Sequence, residues 1–210
     1  MLYVLFWSGL RASELCGLTL DNIDMDNRMI VVDKQLQCVN HTHVVLPTKT
    51  MNGKRIIPMT DGVYESFQRI IKNRYLKGDI EPVCYDEQGN AYEGFVFLAT
   101  RSRRTIVRGH VEEYLRNCIK RFTPTGQLTF TNARRRNTKG IFSSTPIPAT
   151  ADMLFRHTFA TNMQYLPPKT LQYILGHGNI ATTMDNYVDV KPGAEQLAQI
   201  NAVAKQLTAN

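Results

Sequence analysis

The apolar residues change their period twice along this chain, and those changes limit the architecture it can adopt. Leu2 to Cys16 carries them at helical spacing with a break at Gly9, and Met29 to Pro58 switches to alternation. Helical spacing then returns in separate blocks. Met29-Ile-Val-Val and Arg55-Ile-Ile-Pro read as strands, joined through Val44-Val-Leu and a turn at Asn52-Gly53, which predicts a small antiparallel sheet. The helical blocks are Val63 to Tyr75 (Phe67, Ile70 and Ile71 inward), the stripe Val111, Tyr114, Leu115, Cys118, Ile119, and Met153 to Met163 (Phe155, Phe159 and Ala160 inward). Pro167-Pro168 opens one more helix at Lys169, closed by Gly176, and Ala194 to Leu207 carries a thin apolar stripe. Ser13 is a candidate cap for the helix that carries Glu14, and His110 a capping or surface histidine. Phe95-Val-Phe-Leu reads as a short buried strand, and Lys77 to Glu93 as a polar surface insertion. The expected class is mainly α with a small antiparallel β-sheet (α+β), and 210 residues suffice for one sizeable core.

Charge is concentrated rather than spread. Of the net +7, the segment from Arg101 to Lys139 contributes +9, the first hundred residues −2 and residues 141–210 nothing. Phe122 to Thr150, which overlaps the end of that segment, has little periodicity and carries the Arg134-Arg-Arg run, so it reads as a flexible basic loop. One basic stretch on a near-neutral body points to a polyanion partner, with a merely solvated face as the other reading. Four cysteines (Cys16, Cys38, Cys84, Cys118) show no CxxC pairing, which fits reduced thiols in a cytoplasmic protein. The opening MLYVLFW is apolar but too short to span a bilayer, and it reads as the second half of a buried helix, so that the chain begins inside a domain. His41 and His43 form an isolated HxH without a further ligand nearby, so no metal is expected.

Five residues carry chemistry that such a scaffold could focus on an anion. Arg11 in SGLRASEL and Arg156 in LFRHTFAT can each fork onto two oxygens without losing a proton. His177 stands just past a predicted helix end, Tyr187 offers a phenol nucleophile, and Lys49 precedes the Asn52-Gly53 turn on a predicted hairpin. Arg11 could equally be a surface charge paired with Glu14, three residues on. No spacing rule alone makes the group catalytic.

SGLRASEL, LFRHTFAT and LGHGNIATTMDNY together resemble the catalytic domain of tyrosine recombinases, the phage- and transposon-integrase family, with Tyr187 ten residues after His177. The PTKTMNGKRIIP segment is a softer match. The resemblance implies the tyrosine recombinase catalytic-domain fold over residues 1–190 and a site of Arg11, Lys49, Arg156, His177 and Tyr187. It implies site-specific cleavage and rejoining of double-stranded DNA through a 3′-phosphotyrosyl intermediate, without cofactor or metal. Arg101, Arg103 and Arg104, ahead of the helix with Val111, and Arg134, Arg135, Arg136 and Lys139, in a basic loop at about 123–150, become candidate DNA contacts. A homo-oligomer, the synaptic tetramer, is implied on DNA, with residues 191–210 docking on a neighbouring protomer; no membrane is involved, and the location is cytoplasmic, in association with the nucleoid. The family's N-terminal DNA-clamping domain has no counterpart in this sequence. One position departs from the pattern: the family's histidine three residues before the second arginine is Met153 here, with Asp152 the nearest polar group and candidate substitute. His157 faces elsewhere on a regular helix and reads as structural. Two other readings stay open, a catalytically inactive DNA-binding relic and a type IB topoisomerase-like enzyme.

Overall fold

The computed structural model describes residues 1–77, 81–122, 151–179 and 181. Two short helices open the chain, α1 (Leu2–Ser8) and α2 (Ala12–Cys16), followed by strands β1 (Ile23–Asp24), β2 (Met29–Val32), β3 (Lys34–Val39), β4 (Thr42–Pro47) and β5 (Arg55–Pro58). Helix α3 (Asp61–Lys77), strands β6 (Cys84–Asp86) and β7 (Ala91–Tyr92), and helices α4 (Arg108–Phe122), α5 (Ala151–Asn162) and α6 (Pro168–Leu175) complete the described elements. The α+β class is as the periodicities imply.

The strands form two sheets rather than the single one expected. β2 pairs β5 antiparallel with Ile30 opposite Ile57, and β1 joins as the third strand. The second sheet runs β3-β4-β6-β7, with β4 and β6 parallel. Val44-Val-Leu therefore does not link β2 to β5; it belongs to a β3–β4 hairpin turned at Asn40 and His41, both at positive φ. Successive left-handed residues suit a tight hairpin, because their twist matches that of the strands. Lys49 in turn lies on a crossover between the two sheets, not on a hairpin. Lys77 to Glu93 is not a plain insertion either. β6 and β7 extend the second sheet, and buried Arg74 on α3 donates to the Phe95 carbonyl and to Glu81. Phe95 to Phe97 is buried as expected, but the segment is held by single bridges, Phe95 to Thr19 and Leu98 to Thr105, instead of forming a strand.

One apolar core joins the helices to both sheets. It includes Val4 and Leu5 of α1, Leu15, Ile30, Leu36, Ile57, Phe67, Phe95, Phe159 and Leu175. Each such side chain contributes roughly 1.5–3 kcal/mol when taken fully out of water. α1 packs on α3 and α5, α5 on α6, and α6 on β5, so segments far apart in sequence meet near the end of α1. Of the predicted stripe on helix α4, Val111 and Leu115 are buried while Tyr114 and Cys118 are exposed; the Ile119 side chain lies outside the described residues. The period identifies the helix, while the neighbours determine how much of the stripe is covered. His110 accepts the Val107 backbone N–H and so caps α4's start.

Candidate active site

Helix α1 stops because Gly9 adopts a left-handed conformation (φ 66°), and the chain turns through buried Leu10 to Arg11. Arg11 is extended and forms the N-cap of α2. Its partner is Glu14, whose Oε2 accepts the Arg11 backbone N–H at 2.9 Å while Oε1 accepts Nη1–H at 2.7 Å. A glutamate at the third helical position reaching back to the cap residue satisfies a donor that the helix leaves orphaned. Ser13 is therefore not the cap; it lies within α2 and bonds Gln35. The pairing of Arg11 with Glu14 is real, but its setting is not a surface one, since Glu14 is only 2% exposed.

The rest of Glu14 is taken by a residue that the sequence does not advertise. Arg55, at the start of β5, has a fully buried side chain and forks onto the same carboxylate, with Nη1 to Oε1 at 3.1 Å and Nη2 to Oε2 at 2.8 Å. Its Nη1 also donates to the Gly53 carbonyl and its Nε to the Ile174 carbonyl. Burial alone would push the Glu14 carboxyl up; hydrogen bonding and charge from Arg55, then Arg11, hold it below the ordinary carboxylate value.

Helix α6 delivers His177. Gly176 takes the left-handed conformation (φ 62°), its N–H bonds the Tyr173 carbonyl, and the His177 N–H bonds the Gln172 carbonyl. This is the Schellman closure of a helix end. Gln172 also donates through its side chain to the His177 carbonyl, so the histidine's backbone is fixed on both sides. The closing carbonyls of the helix go to arginines: Ile174 accepts from Arg55 and Leu175 from Arg156. Two cations thus meet the negative end of the helix dipole.

Arg156 links the pieces. From α5 it donates through Nη2 to Leu175 and through Nη1 to the Gly9 carbonyl at 2.9 Å. It thereby ties the turn before Arg11 to the turn before His177. Burial pushes the His177 imidazole down to about 4, helped by Arg156, Arg11, Arg55 and His157 in that order. His177 consequently sits amid the guanidiniums as a neutral group at physiological pH.

Lys49 lies exposed on the crossover loop, which touches the same place. The Asn52 carbonyl is 3.0 Å from where a Cβ on Gly176 would stand, and Gly53 is bonded to Arg55. The structure thus brings together Arg11, Arg156, His177 and the loop of Lys49. Arg101, Arg103 and Arg104 lie on a separate turn before α4, with Arg103 at positive φ. Asp152 and Met153 are in the first turn of α5, where side chains are outside the described residues, as are Tyr187, Arg134, Arg135, Arg136, Lys139 and the terminal segment 191–210. His157 is exposed on α5 beside Arg156. His43, in β4, bonds Thr105 through Nδ1. Sequence reasoning missed Arg55; the only local signal is a charged residue opening a strand that otherwise reads as core.

Comparison with known proteins gives a consistent result. The model of the phage integrase family matches residues 1–193. The transposase of transposon Tn916 from Enterococcus faecalis is 30% identical over 187 residues, covering 88% of this chain and 40% of its own length. The chain thus spans two fifths of the curated relatives it matches. A structure of the Tn1549 transposon integrase in complex with transposon right end DNA superposes with a TM-score of 0.70 at 30% identity, covering 97% of this chain and 57% of that one. XerA recombinase shares the fold at a TM-score of 0.59 and 20% identity, over 96% of this chain and 55% of that one.

Proposed function

This chain belongs to the phage integrase family, and from that premise we propose that it acts in site-specific recombination, cutting and rejoining double-stranded DNA through a phosphotyrosyl intermediate. The observation that carries the reading is Arg156, whose guanidinium bonds the carbonyl two residues before Arg11 and the carbonyl two residues before His177. Three groups suited to a phosphodiester are thereby gathered from α5, the α1–α2 turn and the end of α6.

Tyr187 attacks the phosphorus, the bond to the 5′ oxygen breaks, and the 3′ end remains linked to the phenol oxygen. Charge builds on the non-bridging oxygens as this happens, and Arg11 and Arg156 neutralise it with groups that never lose their protons. His177, held neutral, serves as a hydrogen-bond donor to a phosphate oxygen rather than as a third cation. Lys49 gives a proton to the departing 5′ oxygen, and its exposed position on a loop against Gly176 suits that role. Asp152 is the candidate acceptor for the Tyr187 proton, since Met153 cannot serve. The attack of a 5′ hydroxyl on the phosphotyrosine reverses each transfer and restores the backbone.

Arg101, Arg103, Arg104, Arg134, Arg135, Arg136 and Lys139 grip phosphates along the duplex. The working assembly is a synaptic homotetramer, with residues 191–210 docking on a neighbour. Among the described residues no helix is long and apolar enough to cross a membrane. The test is a nicked suicide duplex bearing the element's own attachment site, incubated with the full-length protein. Covalent protein–DNA adduct is expected, and Tyr187→Phe should abolish it while binding persists. Binding without adduct in the parent would favour an inactive DNA-binding relic.

A further inference from the structure

Arg55 is the buried charge that the proposed chemistry leaves unused. Its side chain has no exposed surface, and among the described residues its ion pair is with Glu14. Arg11, by contrast, is 26% exposed and gives the same carboxylate one side-chain N–H. Two guanidiniums therefore share one negative charge. The share is unequal for a physical reason: an uncompensated guanidinium in the core costs far more than one at the surface, so Glu14 is committed to the buried partner. The surplus positive charge falls on Arg11.

We propose that Arg55 is a positioning residue which, by occupying Glu14 from the buried side, keeps the charge of Arg11 available to an incoming phosphate. Its remaining donors hold the Gly53 and Ile174 carbonyls, so the same side chain keeps the Lys49 loop and the end of α6 in register with Arg11. Lysine could not replace it, because one ammonium cannot fork onto a carboxylate and also reach two carbonyls on opposite sides. The inference rests on the site being one that binds phosphate, and it does not depend on the protein cutting DNA.

The experiment titrates inorganic phosphate into the full-length protein, following the His177 imidazole signal by NMR, assigned by its loss in His177→Gln. In Arg55→Met, Glu14 is left to neutralise Arg11, and phosphate should bind at least about tenfold more weakly. Removing that carboxylate as well, in Arg55→Met with Glu14→Gln, should return the affinity to within about threefold of the parent, or tighten it, because Arg11 is again uncompensated. A purely structural Arg55 predicts the opposite order, with the double variant no better than the single one. Parental affinity in a folded Arg55→Met, or no recovery in the double variant, overturns the proposal. If Arg55→Met does not fold, the double variant decides: a tenfold loss there refutes it. If phosphate affinity follows this order across the variants but the parent forms no adduct on a suicide duplex, the recombinase reading falls and this one stands; a parent that ignores phosphate sinks this one.

Discussion

Gly9→Ala tests whether the turn that presents Arg11 is locked by the helices that carry Arg156 and lead to His177. Gly9 is left-handed (φ 66°), and a Cβ there would stand 2.7 Å from Phe159 Cδ1, 2.9 Å from Cε1 and 3.3 Å from Leu175 Cδ2. Phe159 is 4% exposed, so its ring cannot swing into solvent. The backbone conformation costs about 1–2 kcal/mol with a side chain, and forcing a methyl into a packed core costs about 1–3 kcal/mol. The lost freedom of the unfolded chain returns roughly 0.4–1 kcal/mol, leaving a net loss of about 1–4.5 kcal/mol. At roughly 2–4 °C per kcal/mol for a chain of this size, Tm should fall by about 2–18 °C. Gly89→Ala is the control: its φ is 84° but nothing lies within 4 Å, so only the backbone cost remains and the fall should be smaller. Thermal unfolding followed by circular dichroism measures both. Equal shifts in the two variants, or a Gly9→Ala Tm within about 1 °C of the parent, would refute the packing argument.

Further outcomes follow from the site's charges. Because the folded His177 titrates near 4 instead of 6.5, the unfolded chain takes up the proton first; stability is fully present above the ordinary value and declines as pH falls from about 6.5 to about 4. Urea midpoints at pH 7 and 5 should differ, His177→Gln should narrow the difference, and an NMR pKa at or above 6.5 would contradict the burial argument. Replacing Arg134, Arg135 and Arg136 by Ala should flatten the slope of log affinity against log salt by about 0.9 for each phosphate no longer neutralised; an unchanged slope returns that run to plain surface. Met153→His should raise the rate of adduct formation if proton acceptance from Tyr187 is the weak step, whereas an unchanged rate would indicate that another group, such as Asp152, already serves.

The elements legible in the sequence were those defined by contacts close along the chain. The end of α6 is an example: Pro167-Pro168 and Gly176 bracket a short amphipathic block, and His177 follows at once. Phe155, Phe159 and Ala160 were likewise readable as an inward face from their spacing alone. The sheets were less so, because strand pairing is a choice among distant partners. Asn40-His41 lacks the usual glycine of a tight hairpin, and β6 and β7 are too short for alternation to register. Arg55 lay beyond reach for a stronger reason. Apart from the adjacent Gly53 carbonyl its partners are 41 and 119 residues away, and nothing near it in sequence predicts that a strand-opening arginine ends fully buried on the carboxylate that Arg11 also holds. The Arg11–Glu14 pair is visible locally, but the buried charge of Arg55 on the same carboxylate, which sets its role, is not.

Recombination by this chain stands or falls on which atom of the protein becomes joined to DNA. Trapped adduct from a nicked duplex carrying the attachment site should be digested and its nucleotide-bearing peptide sequenced by mass spectrometry. A 3′-phosphoryl nucleotide on Tyr187, absent in Arg11→Ala and Arg156→Ala, is the predicted result. A link to any other side chain, or adduct formed undiminished without either arginine, would contradict it.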